Sequence, residues 1–316
     1  MARDVGSAGL VLTQPDGDAR GVFLVNGARI PIYARVAASI RERHVTVLTH
    51  WWSVDRARLR EYRRHASLFD AVASPSERFD RKLGFAPVFR SNSSDLWVDD
   101  SMWPLLELER DVDVVESTSV PWVIKQPLRW LHEVRELFER RGGGRAVYMT
   151  KREPHEKETD ERCHRDWARF KEEIADDPRV TLVVRASQEE VARLYNRAKV
   201  LYHPCTSEFG PRCVTEALYC GALIVLDRHD WAETATAHPE LRRRIVVQDG
   251  LLPFPEHEAV DVRRWQTTAG VRARLLDFLV ERRHRISTTI EPFTMFSSKR
   301  LEPQAAEPSP GRPTSS

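Results

Sequence analysis

The run from Val200 to Val225 constrains the fold of this chain more than any other stretch. An apolar, strand-like segment, Val200-Leu201-Tyr202-His203-Pro204, leads into a loop. Glu208-Phe209-Gly210-Pro211-Arg212-Cys213-Val214-Thr215-Glu216 then sets two carboxylates with seven residues between them. Ala217-Leu218-Tyr219-Cys220 completes a short helix, Gly221 stops it, and Ala222-Leu223-Ile224-Val225 opens another strand. Strand, loop, helix, glycine, strand is the layout of a nucleotide site in an open parallel sheet. On that layout Glu208 lies at a strand's C-terminal edge and Glu216 lies one to two turns into the following helix.

The same alternation runs through most of the 316 residues. Gly21 to Val25 reads as a strand. Ile30 to Arg43 carries Ile32, Val36, Ala37 and Ile40 at helical spacing, and Val45 to Thr49 is the next strand, making a βαβ unit. Phe69 to Ala73 and Pro87 to Phe89 read as short strands. The first twenty residues read as loose, and Asn92 to Pro104, polar with Trp97 and Trp103, as an inter-domain linker.

A second series begins with the strand Val112 to Val115. A helix Leu128 to Arg141 follows, ended by Gly142-Gly143-Gly144. Then come the strand Ala146 to Met149, a charged stretch Lys151 to Asp177 that is helical in its second half, and the strand Val180 to Val184. The capping box Ser187-Gln188-Glu189-Glu190 opens the next helix. Val271, Leu275, Phe278 and Leu279 mark a late helix, and the tail from Glu302 is rich in Pro and Ser. Two such halves predict an α/β protein with two Rossmann-like domains facing each other across a cleft. The boundaries read as residues 1–104, 105–295 and a disordered tail, 296–316.

Composition removes several classes. Hydrophobic residues (41%) suffice for real cores, and charged residues (30%) balance to a net +2, without the basic excess of a nucleic-acid binder. Cys163, Cys205, Cys213 and Cys220 form no CxxC pair. They read as core thiols of a reduced, cytoplasmic protein rather than as disulfides or a metal cluster. No apolar run reaches the length of a membrane span and no signal-peptide core is visible. The basic stretch Arg56 to Arg64 leaves a peripheral contact with the inner face of a membrane open beside the plainer reading of a solvated helix.

The segment 200–225 resembles the retaining glycosyltransferases of the GT-B fold, group 1 or family 4. The matching residues are His203-Pro204-Cys205, Thr206-Ser207-Glu208-Phe209-Gly210 and Glu216-Ala217-Leu218-Tyr219-Cys220-Gly221, with the preceding Ser187 to Ala198 helix. Asn26-Gly27-Ala28-Arg29 resembles the family's glycine loop. Ala73 to Phe79 with Arg90 to Asp95 resembles the end of its N-terminal domain. The segment between these pieces is short, so the resemblance implies a reduced N-terminal domain.

The resemblance implies a donor site. Glu208 would hold the sugar and Glu216 the ribose hydroxyls. Lys125, in the loop after the first strand of the second half, would hold phosphate, with Lys151 and Arg152 in reserve. Gly210 lets backbone N–H groups approach a diphosphate, and Pro211 and Arg212 open a helix whose N-terminus favours anions. Phe209 and Gly27 complete the expected set, and His50 could replace a family histidine that falls in the shortened region.

Departures accompany the match. Glu116-Ser117 stand near where the family has Gly-Arg, so an arginine is missing. Arg185 replaces a glycine and Leu223 a proline. Trp51-Trp52 could line an acceptor groove or cover the domain's edge.

The implied activity is transfer of a sugar, with retention and without a metal, from a UDP- or GDP-linked donor as co-substrate. The acceptor would be a glycan, a lipid-linked molecule or a small molecule. A degenerate protein that binds nucleotide sugar or glycan without turnover remains the alternative, and epimerisation of a nucleotide sugar is a third reading.

Overall fold

The computed structural model describes residues 9–49, 56–74, 87–91, 93–121, 123–155, 160–205, 211–228, 238–282 and 284–288. His50, Trp51, Trp52, Glu208, Phe209, Gly210 and the tail 296–316 lie outside them.

The chain builds two sheets. In the first, β1 (Gly9–Thr13), β2 (Gly21–Asn26), β3 (His44–Thr49), β4 (Ala71–Ala73) and β5 (Val88–Phe89) lie in that spatial order, with β2 to β5 parallel and β1 antiparallel on the edge. The expectation that the first twenty residues are loose is therefore corrected. Leu10, Val11 and Leu12 supply a short apolar run, and Gly9 permits its pairing, because a Cβ there would meet the Leu24 carbonyl oxygen at 2.1 Å. One face of this sheet packs Phe23 and Val25 on the helix Ile30–Arg43 through Tyr33, Ala37 and Ile40.

The second sheet holds β6 (Val112–Thr118), β7 (Ala146–Thr150), β8 (Val180–Val184), β9 (Ala198–His203), β10 (Leu223–Asp227) and β11 (Ile245–Gln248). Its order is β11-β10-β9-β6-β7-β8, all parallel. Both faces must be covered in such a sheet, and its strands accordingly read as near-continuous apolar runs. Val112, Val115, Leu201 and Ile224 face one core with the helices Gln188–Arg197 and Arg212–Tyr219. Val114, Val200, Tyr202 and Val225 face the other with the helices Pro127–Arg141 and Glu161–Ile174. The predicted helix ends hold. Gly142 takes φ 72° at the C-cap of its helix, and the Ser187–Glu190 capping box makes both of its hydrogen bonds.

Two segments behave differently from their sequence reading. Residues 93 to 104, read as a polar inter-domain linker, are packed, as a strap that runs from one core to the other. Ser93–Trp97 is helical, Leu96 enters the core of the first sheet, and Val98 and Trp103 enter that of the second. The late helix Thr268–Glu281 returns to the first sheet, where Val271, Leu275, Leu276 and Leu279 share a core with Val22, Leu24, Val45 and Val47. Arg272 seals the strap by donating to the Leu96 carbonyl from Nε (3.2 Å) and Nη2 (3.0 Å). No described helix is long and apolar enough to cross a membrane.

Candidate donor-binding site

The strand order of the second sheet fixes where a ligand can enter. Connections leave β6 toward β7 on one side, and the chain crosses to β9 on the other, so the order reverses between β6 and β9. Ligands of open α/β sheets bind outside the carboxyl ends of the strands at this switch point. A cavity of about 430 Å³ lies there. Its walls come from the ends of β6 (Ser117, Thr118) and β7 (Met149, Thr150), from Gln188 and Val191 after β8, and from Pro211, Arg212, Cys213 and Glu216 after β9.

The helix Arg212–Tyr219 aims its first turn at this cavity. Pro211 is its N-cap with extended φ and ψ (−62°, 134°), one position earlier than expected. With no side-chain cap on the helix start, its first N–H groups are oriented donors for an anion. Glu216, on the second turn, is buried and pairs with Arg212 Nη2 at 3.2 Å. Burial pushes the Glu216 carboxyl up, against the pull of Arg212.

Lys125 closes the cavity floor from a 3-10 turn, Val123–Lys125, and is itself buried. Lys151 lines the rim and is exposed, and Arg152 beside it is exposed and is not part of the lining. Among the described residues, the cavity thus gathers Lys125, Lys151, Pro211, Arg212 and Glu216 of those singled out from sequence. Gly27 is elsewhere. It follows β2 in the first sheet, where a Cβ would meet the Tyr62 hydroxyl at 2.5 Å, which explains a glycine there on packing grounds alone.

Other residues enter that sequence reasoning had not assigned to the site. Trp103, read as part of a linker, walls the cavity and packs its ring 5.9 Å from Tyr195. Ser117, Thr118 and Ser119 present short polar side chains at the end of β6. The rule that ligands lie at strand C-termini could have found these three. Nothing in the sequence pointed Trp103 inward.

Beneath the cavity lies a buried polar cluster. Glu116 Oε1 is 2.7 Å from His203 Nδ1, and both residues are inaccessible to solvent. Burial drives the Glu116 carboxyl well above the usual carboxylate range, although Lys125 opposes this, and it lowers His203. Cys213 Sγ lies 3.9 Å from the same histidine nitrogen, and its thiol is pushed well up by burial. All four cysteines are buried, and none is in a disulfide. No group of three or more His, Cys, Asp or Glu side chains suited to a metal occurs among the described residues.

Arg185 stands where the resemblance expects glycine, and the backbone keeps the glycine conformation, φ 64°. The turn leads into Ala186 and Gln188 of the cavity lining at the cost of a left-handed arginine.

By sequence, no family model matches the chain and no curated protein matches it. Solved structures do match. HepE of Anabaena, crystallised with UDP and glucose, aligns at a TM-score of 0.57 and 10% identity, covering 81% of this chain and 77% of HepE. Sucrose-phosphate synthase from Thermosynechococcus elongatus aligns at 0.59 and 13% identity, over 82% of this chain and 73% of that one. TarM of S. aureus, crystallised with UDP among other ligands, aligns at 0.52 and 8% identity, over 80% and 52% of the two chains. The fold is that of the GT-B glycosyltransferases, with two Rossmann-like units.

Proposed function

We propose that this protein is a GT-B glycosyltransferase that transfers a sugar, with retention, from a UDP- or GDP-linked donor to a glycan, lipid-linked or small-molecule acceptor. The observation that carries the reading is the convergence of Lys125, Arg212, Glu216 and an uncapped helix N-terminus on one cavity at the switch point. The fold shared with HepE, whose structure contains UDP and glucose, supports it.

In this reading each residue has a separate task. Glu216, ionised, accepts hydrogen bonds from the two ribose hydroxyls. The Arg212 helix terminus and the Lys125 ammonium face the diphosphate, and Lys151 at the rim is a further cation. Departure of a charged diphosphate is the costly event, and cations fixed in a partly water-excluded floor stabilise that charge more than the same cations in water would. Glu208, with Phe209 and Gly210, completes the sugar end as the sequence implies.

Replacing Glu216 by Ala removes the ribose acceptors and is expected to abolish measurable UDP and GDP binding. Calorimetric titration of both nucleotides checks this, and unchanged affinity would refute the site assignment.

One observation favours a binding protein without turnover: the position near which the family carries an arginine holds Glu116, a buried acid. Release of nucleotide from UDP- or GDP-sugars above background separates the two readings in favour of the enzyme. Retained binding with no release favours the non-catalytic protein.

A further inference from the structure

Of a nucleotide bound in this cavity, the base is the one part still without a partner. The sheet order says where it must lie. The helix Arg212–Tyr219 follows β9, and the cavity runs from its first turn past the ends of β6 and β7 to Gln188 and Val191 after β8. Among the described residues the lining includes none from β10 or β11. Neighbouring strands lie about 4.8 Å apart, so the β8 end is roughly 10 Å from β6. With the diphosphate at the helix start and the ribose at Glu216, the base has only that end to extend into.

The β8 end is largely apolar, with Met149, Ala186 and Val191 in its walls. Of the polar groups described there, the Thr150 hydroxyl is committed to the Arg152 carbonyl at 2.8 Å, and Lys151 stands exposed at the rim. Gln188 remains. It is the first residue of its helix, but the capping box is completed by Ser187 and Glu190 and makes no use of the Gln188 side chain. Gln188 Nε2 is buried with no hydrogen-bond partner among the described residues. Trp103, also in the lining, leaves its Nε1 buried and unpaired in the same way. A buried N–H without an acceptor is costly, and a ligand that brings an acceptor recovers that cost.

Resting on the donor-site reading, we propose that Gln188 is a specificity-determining residue that hydrogen-bonds the edge of the nucleobase. An amide suits this task because it carries a donor at one end and an acceptor at the other. Its last torsion is broad, so a small rotation turns Nε2 from the wall toward the cavity. The apolar neighbours hold a flat ring without competing for its polar edge, which leaves Gln188 to read that edge.

The test is calorimetric titration of UDP, GDP, CDP and pyrophosphate into the wild type, Gln188→Leu and Gln188→Glu at one pH. Pyrophosphate has neither base nor ribose and is the internal reference. Gln188→Leu is expected to weaken whichever nucleotide the wild type binds most tightly by about tenfold, with pyrophosphate affinity unchanged within about twofold. Equal weakening of nucleotide and pyrophosphate overturns the inference, because a merely structural role would disturb both.

Gln188→Glu supplies a second reading. A carboxylate only accepts, and cytosine carries an amino group where uracil carries a carbonyl. The ratio of UDP to CDP affinity is expected to move toward CDP by about tenfold, and the added charge cancels in that ratio. An unchanged ratio overturns the inference. If the wild type binds no nucleotide, the donor-site reading falls and this role falls with it. Nucleotide binding that Gln188→Leu leaves intact removes only the role of Gln188.

Discussion

Single residues explain several departures from the expected pattern. Arg185 holds a left-handed backbone, φ 64°, at a position where the resemblance anticipates glycine. Arg185→Gly relieves a strain of about 1–2 kcal/mol and forfeits part of that through the flexibility of the unfolded chain. A net gain of up to ~1 kcal/mol is expected by chemical denaturation, and a loss would contradict the strain argument.

Gly221 makes the opposite case. It takes φ 80°, and a Cβ there would meet Arg110 Nη2 and Leu105 Cδ1 at 2.7 Å each. Arg110 Nη2 is engaged with the Cys220 carbonyl at 2.7 Å, so it has little room to move. Gly221→Ala is expected to cost about 1–3 kcal/mol, read from the same denaturation curves.

Glu116 also leaves a mark on stability. Its carboxyl is raised in the folded state, so its contribution is fully present below the ordinary carboxylate range and is lost as pH rises through the raised value. The stability of Glu116→Gln relative to wild type should therefore improve with increasing pH. Thermal melts at pH 5 and pH 9 check this, and a difference independent of pH would contradict it.

At the level of elements, the second half was legible because each signal was local. The capping box at Ser187, the glycine stop at Gly142 and the short helix ended at Gly221 all depend on neighbours a few residues away. What escaped depended on distant partners. β1 is an edge strand that pairs with β2 and packs Leu12 into a core shared with the late helix, and Gly-rich surroundings hid its three apolar residues. The strap 93–103 looked polar because the partners that bury Leu96, Val98 and Trp103 lie far along the chain.

The long-range ion pair of Arg135 with Asp177 was equally invisible. Arg135 on the helix Pro127–Arg141 donates to Asp177 Oδ2 at 3.2 Å, and Arg179 grips both oxygens of the same carboxylate at 2.9 Å. These arginines hold Asp177 well below the usual carboxylate range, first through Arg179. That stability is present above the ordinary Asp value and is lost as pH falls through the depressed one. Asp177→Asn is expected to lose about 2 kcal/mol at pH 7 and to converge with wild type in acid. Urea melts at pH 7 and near pH 2 check this, with the difference narrowing at the acid end.

For the whole molecule, the helix Thr268–Glu281 decides how the chain holds together. Its apolar face was readable, but nothing in its periodicity says which sheet it covers. It returns to the first sheet and meets Leu96 of the strap, so the last described helix stabilises the first strands. Leu275, inaccessible to solvent, lies in that shared core. Leu275→Ala should cost about 2–4 kcal/mol and lower amide protection in β2 and β3, which are distant in sequence. Loss of protection confined to the helix would contradict the shared core.

The candidate cavity has the same dependence on the whole. Glu216, Arg212 and Lys125 could be picked out one by one from the sequence, whereas the wall from Trp103 required the strap, and Glu116 with His203 required the strand order.

The most direct measurement is amide hydrogen exchange of the full chain with and without saturating UDP or GDP. Protection concentrated in segments 117–125, 186–191 and 208–219, which carry the cavity's lining residues and the proposed donor loop, is the predicted result. Protection centred elsewhere, or none with either nucleotide, would contradict the assignment of this cavity as the donor site.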